Sequence, residues 1–312
     1  MLKKDYLNHL LTYKKELPYL LRHVLFTFLQ KKKARGYGGI DLGVENLLID
    51  GCLFLPEKVL NHEVASDLRD FILAGPKVSK FDYSGVLLRD TYDQSHLMKH
   101  DTILKLVTDD DILTLATNYF GAQPKVAFIA SWTTYADDPE DLGEMFFHMD
   151  HHGHKFLKMF YYLTDVDEGD GHHEYVCKTT DHILNNGRLD SWRKTMPDLA
   201  REYEKKRRLK GSYKIDEEVI HKHLQGDILK IYGKAGTCFI EDTYGLHRGT
   251  PIKNGSPRTI LQVLYAPKVH EKDSKNTSDI LLDDNTLVKK YMEVFDELLK
   301  DSKNDFEEAA DA

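Results

Sequence analysis

The chain has 312 residues, 41% of them hydrophobic, enough for a packed core, and its net charge of −8 argues against a general nucleic-acid binder. Three scattered cysteines, Cys52, Cys177 and Cys238, form no CxxC and no disulfide framework, which predicts a reducing compartment. No segment reaches the ~20 apolar residues needed to span a bilayer, and the start has no signal-peptide apolar core, so a cytoplasmic protein is expected.

Residues 1–36 stand apart. They hold nine Lys/Arg against Asp5 and Glu16, a net of +7, which leaves −15 for the remainder. Leu7, Leu10, Leu11, then Leu21, Val24, Leu25 and Phe28 recur at helical spacing, and Pro18 divides them into two helices. Such a basic amphipathic segment suits peripheral contact with the inner face of an anionic membrane. It equally suits helices docked on the core or on a partner subunit, as in a homodimer, and this plainer reading is preferred because amphipathic spacing is the ordinary mark of docking.

Gly36, Gly38 and Gly39 mark a linker. Residues 51–56 read as a short strand stopped by Pro56. Asn61 can cap a helix that buries Val64, Leu68, Phe71 and Ile72 and ends at Gly75. Residues 102–120 read as one further helix, and 125–135 as a strand rich in β-formers. A second strand covers Phe156 to Thr164 and ends in the acidic turn 165–171. In it Lys158 shares a face with Phe156, Phe160 and Tyr162. Facing inward it would be an anion contact; the commoner reading is an edge or surface lysine. His173-Glu174 reads as an isolated pair on a turn.

Residues 181–226 form a polar, helical insertion with a basic run at 205–210, which is either a solvated helix face or a lid that binds anions; Glu202 and Glu204 favour the first. A strand from Gly236 leads to His247. Lys253-Asn254-Gly255-Ser256 then signals a hairpin, expected to lay the strand from Arg258 beside the one bearing His247. Residues 287–300 suggest a terminal helix followed by an acidic tail. The organisation is thus a basic helical extension (1–36), a β-rich domain (37–285) with the helical insertion 181–226, and a C-terminal helix and acidic tail (286–312).

One constellation carries chemistry. His148-Met149-Asp150 places an imidazole and a carboxylate on one side of an extended backbone. His247 lies far downstream, and Arg258 follows it by eleven residues. Two His and one carboxylate on one face of a metal suit Fe(II) and leave positions open for an anionic chelator and O2. Arginine suits the far carboxylate of a dicarboxylate because its guanidinium is always charged and binds in a bidentate manner. HExxH, GxSxG, P-loop and GxGxxG motifs are absent. His152 is a candidate to support a ligand of the metal.

With these motifs in view, residues 48–267 resemble the phytanoyl-CoA dioxygenase family of Fe(II)/2-oxoglutarate oxygenases. The resemblance is carried by Gly51 to Arg69, Phe147-His148-Met149-Asp150, the strand and turn 161–171, and Leu246-His247-Arg248-Gly249 with Arg258. It implies a mainly β fold, a double-stranded β-helix (jelly-roll) barrel with flanking helices. It implies His148, Asp150 and His247 as iron ligands and Arg258 on the distal carboxylate of 2-oxoglutarate; Lys158, if its face points inward, and Thr250 are the candidates for a further contact of that co-substrate. The implied reaction consumes 2-oxoglutarate and O2 and hydroxylates an unactivated C–H of a small molecule or of a lipid, glycan or nucleotide-sugar conjugate. Two departures stand out. Gly249 replaces a small hydroxyl residue common two positions after the distal His, with Thr250 next to it. Val176-Cys177-Lys178-Thr179-Thr180 replaces a Pro-Gly-Ser-His turn. The competing expectation is a catalytically silent jelly-roll that serves as a binding or scaffold module.

Overall fold

The computed structural model describes residues 36–82, 84–135, 145–150, 155–180, 196–210, 215, 217–224 and 228–267, without the side chains of 203, 204 and 206–210. The expectations for residues 1–35, for the His151, His152 and His154 run, and for the helix at 287–300 lie outside these. No helix among the described residues is long and apolar enough to cross a membrane.

The strands are β1 (Cys52–Phe54), β2 (Lys77–Phe81), β3 (Leu87–Tyr92), β4 (Pro124–Thr134), β5 (Leu157–Tyr162), β6 (His173–Val176), β7 (Ile228–Ile231), β8 (Cys238–Glu241), β9 (His247–Gly249) and β10 (Arg258–Pro267). They form a seven-stranded sheet in the order β1-β8-β5-β10-β4-β3-β2 and a three-stranded sheet in the order β7-β6-β9, antiparallel throughout. From β4 onward the chain passes repeatedly from one sheet to the other, which is jelly-roll winding. The fold is mainly β, with helices on its flanks.

Period-two alternation divides each strand of the large sheet between two cores. On the inner face Phe160, Tyr162, Phe239 and Ile260 pack against Tyr175 and Ile231 of the small sheet. On the outer face Leu157, Met159, Tyr161, Ile240 and Val263 pack against helix residues such as Leu68, Ile72, Ile112 and Leu113. Fully buried side chains of this size contribute roughly 1.5–3 kcal/mol each.

The outer helices are α1 (Val44–Asp50), α2 (His62–Leu73), α3 (Gln94–Leu97), α4 (Asp101–Val107) and α5 (Asp110–Phe120). Asn61 caps α2 as expected, its side chain accepting from the Val64 amide at 2.8 Å. The buried side of that helix is Ala65, Leu68 and Ile72, with Val64 and Phe71 half-buried. The single helix expected over 102–120 is two. Thr108 leaves helical geometry, and Asp109 starts α5 by accepting from the amides of Asp111 and Ile112. An Asp with two following amides to satisfy is a strong N-cap and competes with helix continuation.

The Asn-Gly hairpin is also corrected. β9 and β10 belong to different sheets, so the strand from Arg258 lies between β5 and β4 and not beside β9. The Asn254 side chain donates to the Glu168 carbonyl and to Asp170, which pins the turn to the 168–170 loop while the chain crosses between sheets.

The insertion contributes α6 (Pro197–Lys210) and α7 (Glu217–His223). Met196, Leu199, Ala200, Ile215 and Ile220 cluster with Phe147, Met149, Val176 and Leu246. These last four alternate with the residues of the candidate site, so the insertion packs behind it. Of the basic run only Lys205 has a described side chain; it is exposed and lies 3.8 Å from Glu202.

Candidate metal centre

His148 and His247 are directly opposed across an antiparallel bridge. The His148 amide donates to the His247 carbonyl at 2.9 Å, and the His247 amide returns the bond at 3.0 Å. Residues opposed in this way project to one face. Their rings accordingly sit 4.3 Å apart, centre to centre. Asp150, two residues beyond His148, is fastened by its amide to the Thr243 carbonyl at 2.8 Å. Its Oδ1 lies 3.8 Å from His148 Nε2 and its Oδ2 lies 3.5 Å from His247 Nε2. One ligand atom from each of the three residues falls within 4.8 Å of the others.

The donor set suits a divalent metal. Nδ1 of His148 donates to the Phe146 carbonyl, and Nδ1 of His247 to the Gly245 carbonyl, each at 2.9 Å. A proton held on Nδ1 leaves the Nε2 lone pair of a neutral imidazole pointing at the site. Burial alone would raise the Asp150 carboxyl, but the Lys158 ammonium and His247 hold it well below the usual carboxylate range. Burial alone would lower His247, and the Asp150 carboxylate beside it raises it instead.

Lys158 is not a surface lysine. It lies on β5, an inner strand of the large sheet, is 9% exposed, and donates to Asp150 Oδ2 at 2.6 Å. His173-Glu174, expected on a turn, is instead a buried part of β6 with its two side chains on opposite faces. Inward, His173 Nε2 lies 2.9 Å from both oxygens of the fully buried Glu241, and its ring stacks toward His247 at 5.6 Å. Burial pushes His173 down, although Glu241 acts the other way. Outward, Glu174 accepts from Arg248 at 2.8 Å. Arg248 also donates to Glu217 of α7 at 3.1 Å and lies over the Phe147 ring at 4.4 Å. Both histidine strands are thereby braced from behind.

Arg258 opens β10 and is 7% exposed. Both terminal guanidinium nitrogens would lie 3.6 Å from a Cβ at Gly249, and Nη1 would lie 3.2 Å from one at Gly171. Gly249 and His247 share a face of β9, so the guanidinium stands roughly 7 Å along the strand from His247. Directly across the β10–β4 register is Thr134, whose buried hydroxyl has no hydrogen-bond partner among the described residues; the Trp132 indole N–H nearby is in the same position. Glycines that place no side chain against the guanidinium and an orphaned hydroxyl next to it suit a carboxylate.

The Thr250 hydroxyl lies 3.0 Å from both the carbonyl and Nδ1 of His172. The irregular turn after β6 keeps a glycine-like backbone despite its sequence: Lys178 sits at φ 65°. Glu241 and His173 had no signal in the motif pattern. Glu241 carried one clue, a titratable residue inside the strand read from Gly236, whereas His173 was read on a turn.

No family model matches the chain, and no curated relative matches it. Solved structures with a similar fold include the non-heme alpha-ketoglutarate dependent epimerase SnoN from nogalamycin biosynthesis, with 16% identity, 72% of this chain and 79% of that one covered, and a TM-score of 0.47. HygX from Streptomyces hygroscopicus, with nickel and 2-oxoglutarate bound, shares 13% identity over 75% of this chain and 91% of its own, at a TM-score of 0.49. The carbocyclase SnoK from nogalamycin biosynthesis shares 14% identity over 75% and 87%, at 0.47.

Proposed function

We propose that the protein is an Fe(II)- and 2-oxoglutarate-dependent oxygenase that hydroxylates an unactivated C–H of a small molecule or of a lipid, glycan or nucleotide-sugar conjugate. The observation that carries this reading is the pairing of a three-ligand cluster with a buried guanidinium one pleat away on the same inner face. A separation of roughly 7 Å suits a five-carbon diacid held at both ends. His148, Asp150 and His247 would hold the iron, and Arg258 with Thr134 would hold the far carboxylate. With iron and 2-oxoglutarate bound, the centre supplies oxidising chemistry in which 2-oxoglutarate, O2 and R–H become succinate, CO2 and R–OH.

The chain's own residues position and insulate that chemistry. The carbonyls of Phe146 and Gly245 fix the tautomers of the two imidazoles. Phe160, Phe239 and Ile260 wall the interior against water. Asp150 would fill the third ligand position, which a halide would need for halogenation, so hydroxylation is favoured over halogenation, with desaturation and ring closure as the other outcomes open to such a centre. The motifs at 147–150 and 246–249, with Arg258, support a phytanoyl-CoA dioxygenase-like reading of the chain. A silent scaffold would have no use for a buried cluster of this composition, since each buried charge costs stability.

Anaerobic addition of Fe(II) and 2-oxoglutarate should produce a weak visible charge-transfer band, and admission of O2 should release succinate. Absence of both would refute the assignment.

A further inference from the structure

Lys158 is the residue whose position the proposed reaction does not explain. It faces Glu241 directly in the β5–β8 register. Opposite charges at such positions ordinarily pair across the strands. Here the ammonium reaches 2.6 Å from Asp150 Oδ2, and Glu241 is served by His173 at 2.9 Å. The lysine's charge is therefore directed at a metal ligand while its cross-strand acid has a separate partner.

Two consequences follow for the centre. A carboxylate with both oxygens open can close on a metal through both and fill a position that a chelator or O2 requires. With Oδ2 committed to Lys158, Asp150 offers a metal one oxygen. In addition, a fixed positive charge beside the site opposes a divalent cation and favours an anion. We infer that Lys158 is a positioning residue that keeps Asp150 a one-oxygen ligand, lowering affinity for the metal while raising affinity for the anionic co-substrate. This rests on the metal-centre reading above.

The test uses the full chain, stripped of metal, with Co(II) as the first titrant and 2-oxoglutarate as the second, added to the Co(II)-loaded protein under anaerobic conditions. Lys158→Met should bind Co(II) about tenfold more tightly and 2-oxoglutarate about tenfold more weakly than the unmodified chain. Lys158→Arg should bind Co(II) about tenfold more weakly, because the guanidinium fork claims both oxygens of Asp150. A lysine that only stabilises the fold predicts loss of both affinities in Lys158→Met, and that outcome overturns the inference. So does unchanged or tighter 2-oxoglutarate binding in that variant. Should Lys158→Met fail to fold, Lys158→Arg decides alone: Co(II) binding equal to or tighter than that of the unmodified chain overturns the inference. Failure of the unmodified chain to bind Co(II) refutes the metal centre itself, an outcome distinct from all of these.

Discussion

The guanidinium of Arg258 stands 3.6 Å from the place where a Cβ of Gly249 would be. Gly249 presents no side chain to the guanidinium on the face it shares with His247. Arg258→Met should weaken 2-oxoglutarate binding about 100-fold, the loss expected for a buried charge-assisted pair, and leave metal affinity within about twofold. Gly249→Val should reproduce the anion defect by filling the same space. Calorimetric titration of each ligand separates the two effects, and equal loss of metal and anion binding would contradict this division of labour.

The buried charges around the site balance. Lys158 and Arg258 oppose Asp150 and Glu241, all in the barrel interior. A divalent cation with a dianion preserves that balance, whereas either one alone leaves two unbuffered charges in a low-dielectric site. Metal and 2-oxoglutarate should therefore raise each other's affinity by the same factor, about tenfold or more. Titration of each in the presence and absence of the other measures it; independent binding would contradict the balance.

Glu174 predicts the acid limb of stability. Its carboxyl is 4% exposed as a residue and sits at about 2: burial pushes it up, but His172 and Arg248 override that. A depressed carboxyl contributes stability that is fully present above the ordinary value near 4.5 and is lost as pH falls toward 2. The difference corresponds to roughly 3 kcal/mol. Glu174→Gln should lower stability at neutral pH by about that amount and flatten the decline between these limits. Urea unfolding midpoints across that window decide; parallel profiles for the two proteins would count against the Arg248–Glu174 brace.

Lys178 is an exposed non-glycine residue at φ 65°, a left-handed conformation that costs an L side chain about 1–2 kcal/mol. Lys178→Gly should raise stability by about 0.5–1 kcal/mol, net of the glycine's greater freedom when unfolded. A melting temperature that falls would show that the side chain supports the turn.

Local spacing made the metal cluster legible. His148 and Asp150 are two residues apart on extended chain, and His247 with Arg258 repeats a recognisable interval. Lys158 was not legible in its orientation, because all six residues of β5 are buried and its alternation carries no inside-outside contrast. The His173–Glu241 contact joins positions 68 residues apart, and nothing local to either announces the other. The Asn254-Gly255 turn was recognised as a turn but not as a crossing between sheets, since turn chemistry specifies the reversal and not the strand's eventual neighbour. The break before Asp109 did have a local signal, an aspartate ahead of two more acids, which the continuous apolar pattern outweighed.

Co(II) titration monitored by visible absorption decides whether His148, Asp150 and His247 form one metal centre. The unmodified chain should bind one ion per molecule with spectral features of nitrogen and oxygen ligation. His148→Ala, Asp150→Ala and His247→Ala should each abolish that signal while retaining the fold by circular dichroism. Full-strength Co(II) binding by a folded His247→Ala protein would show that the three residues do not share one ion.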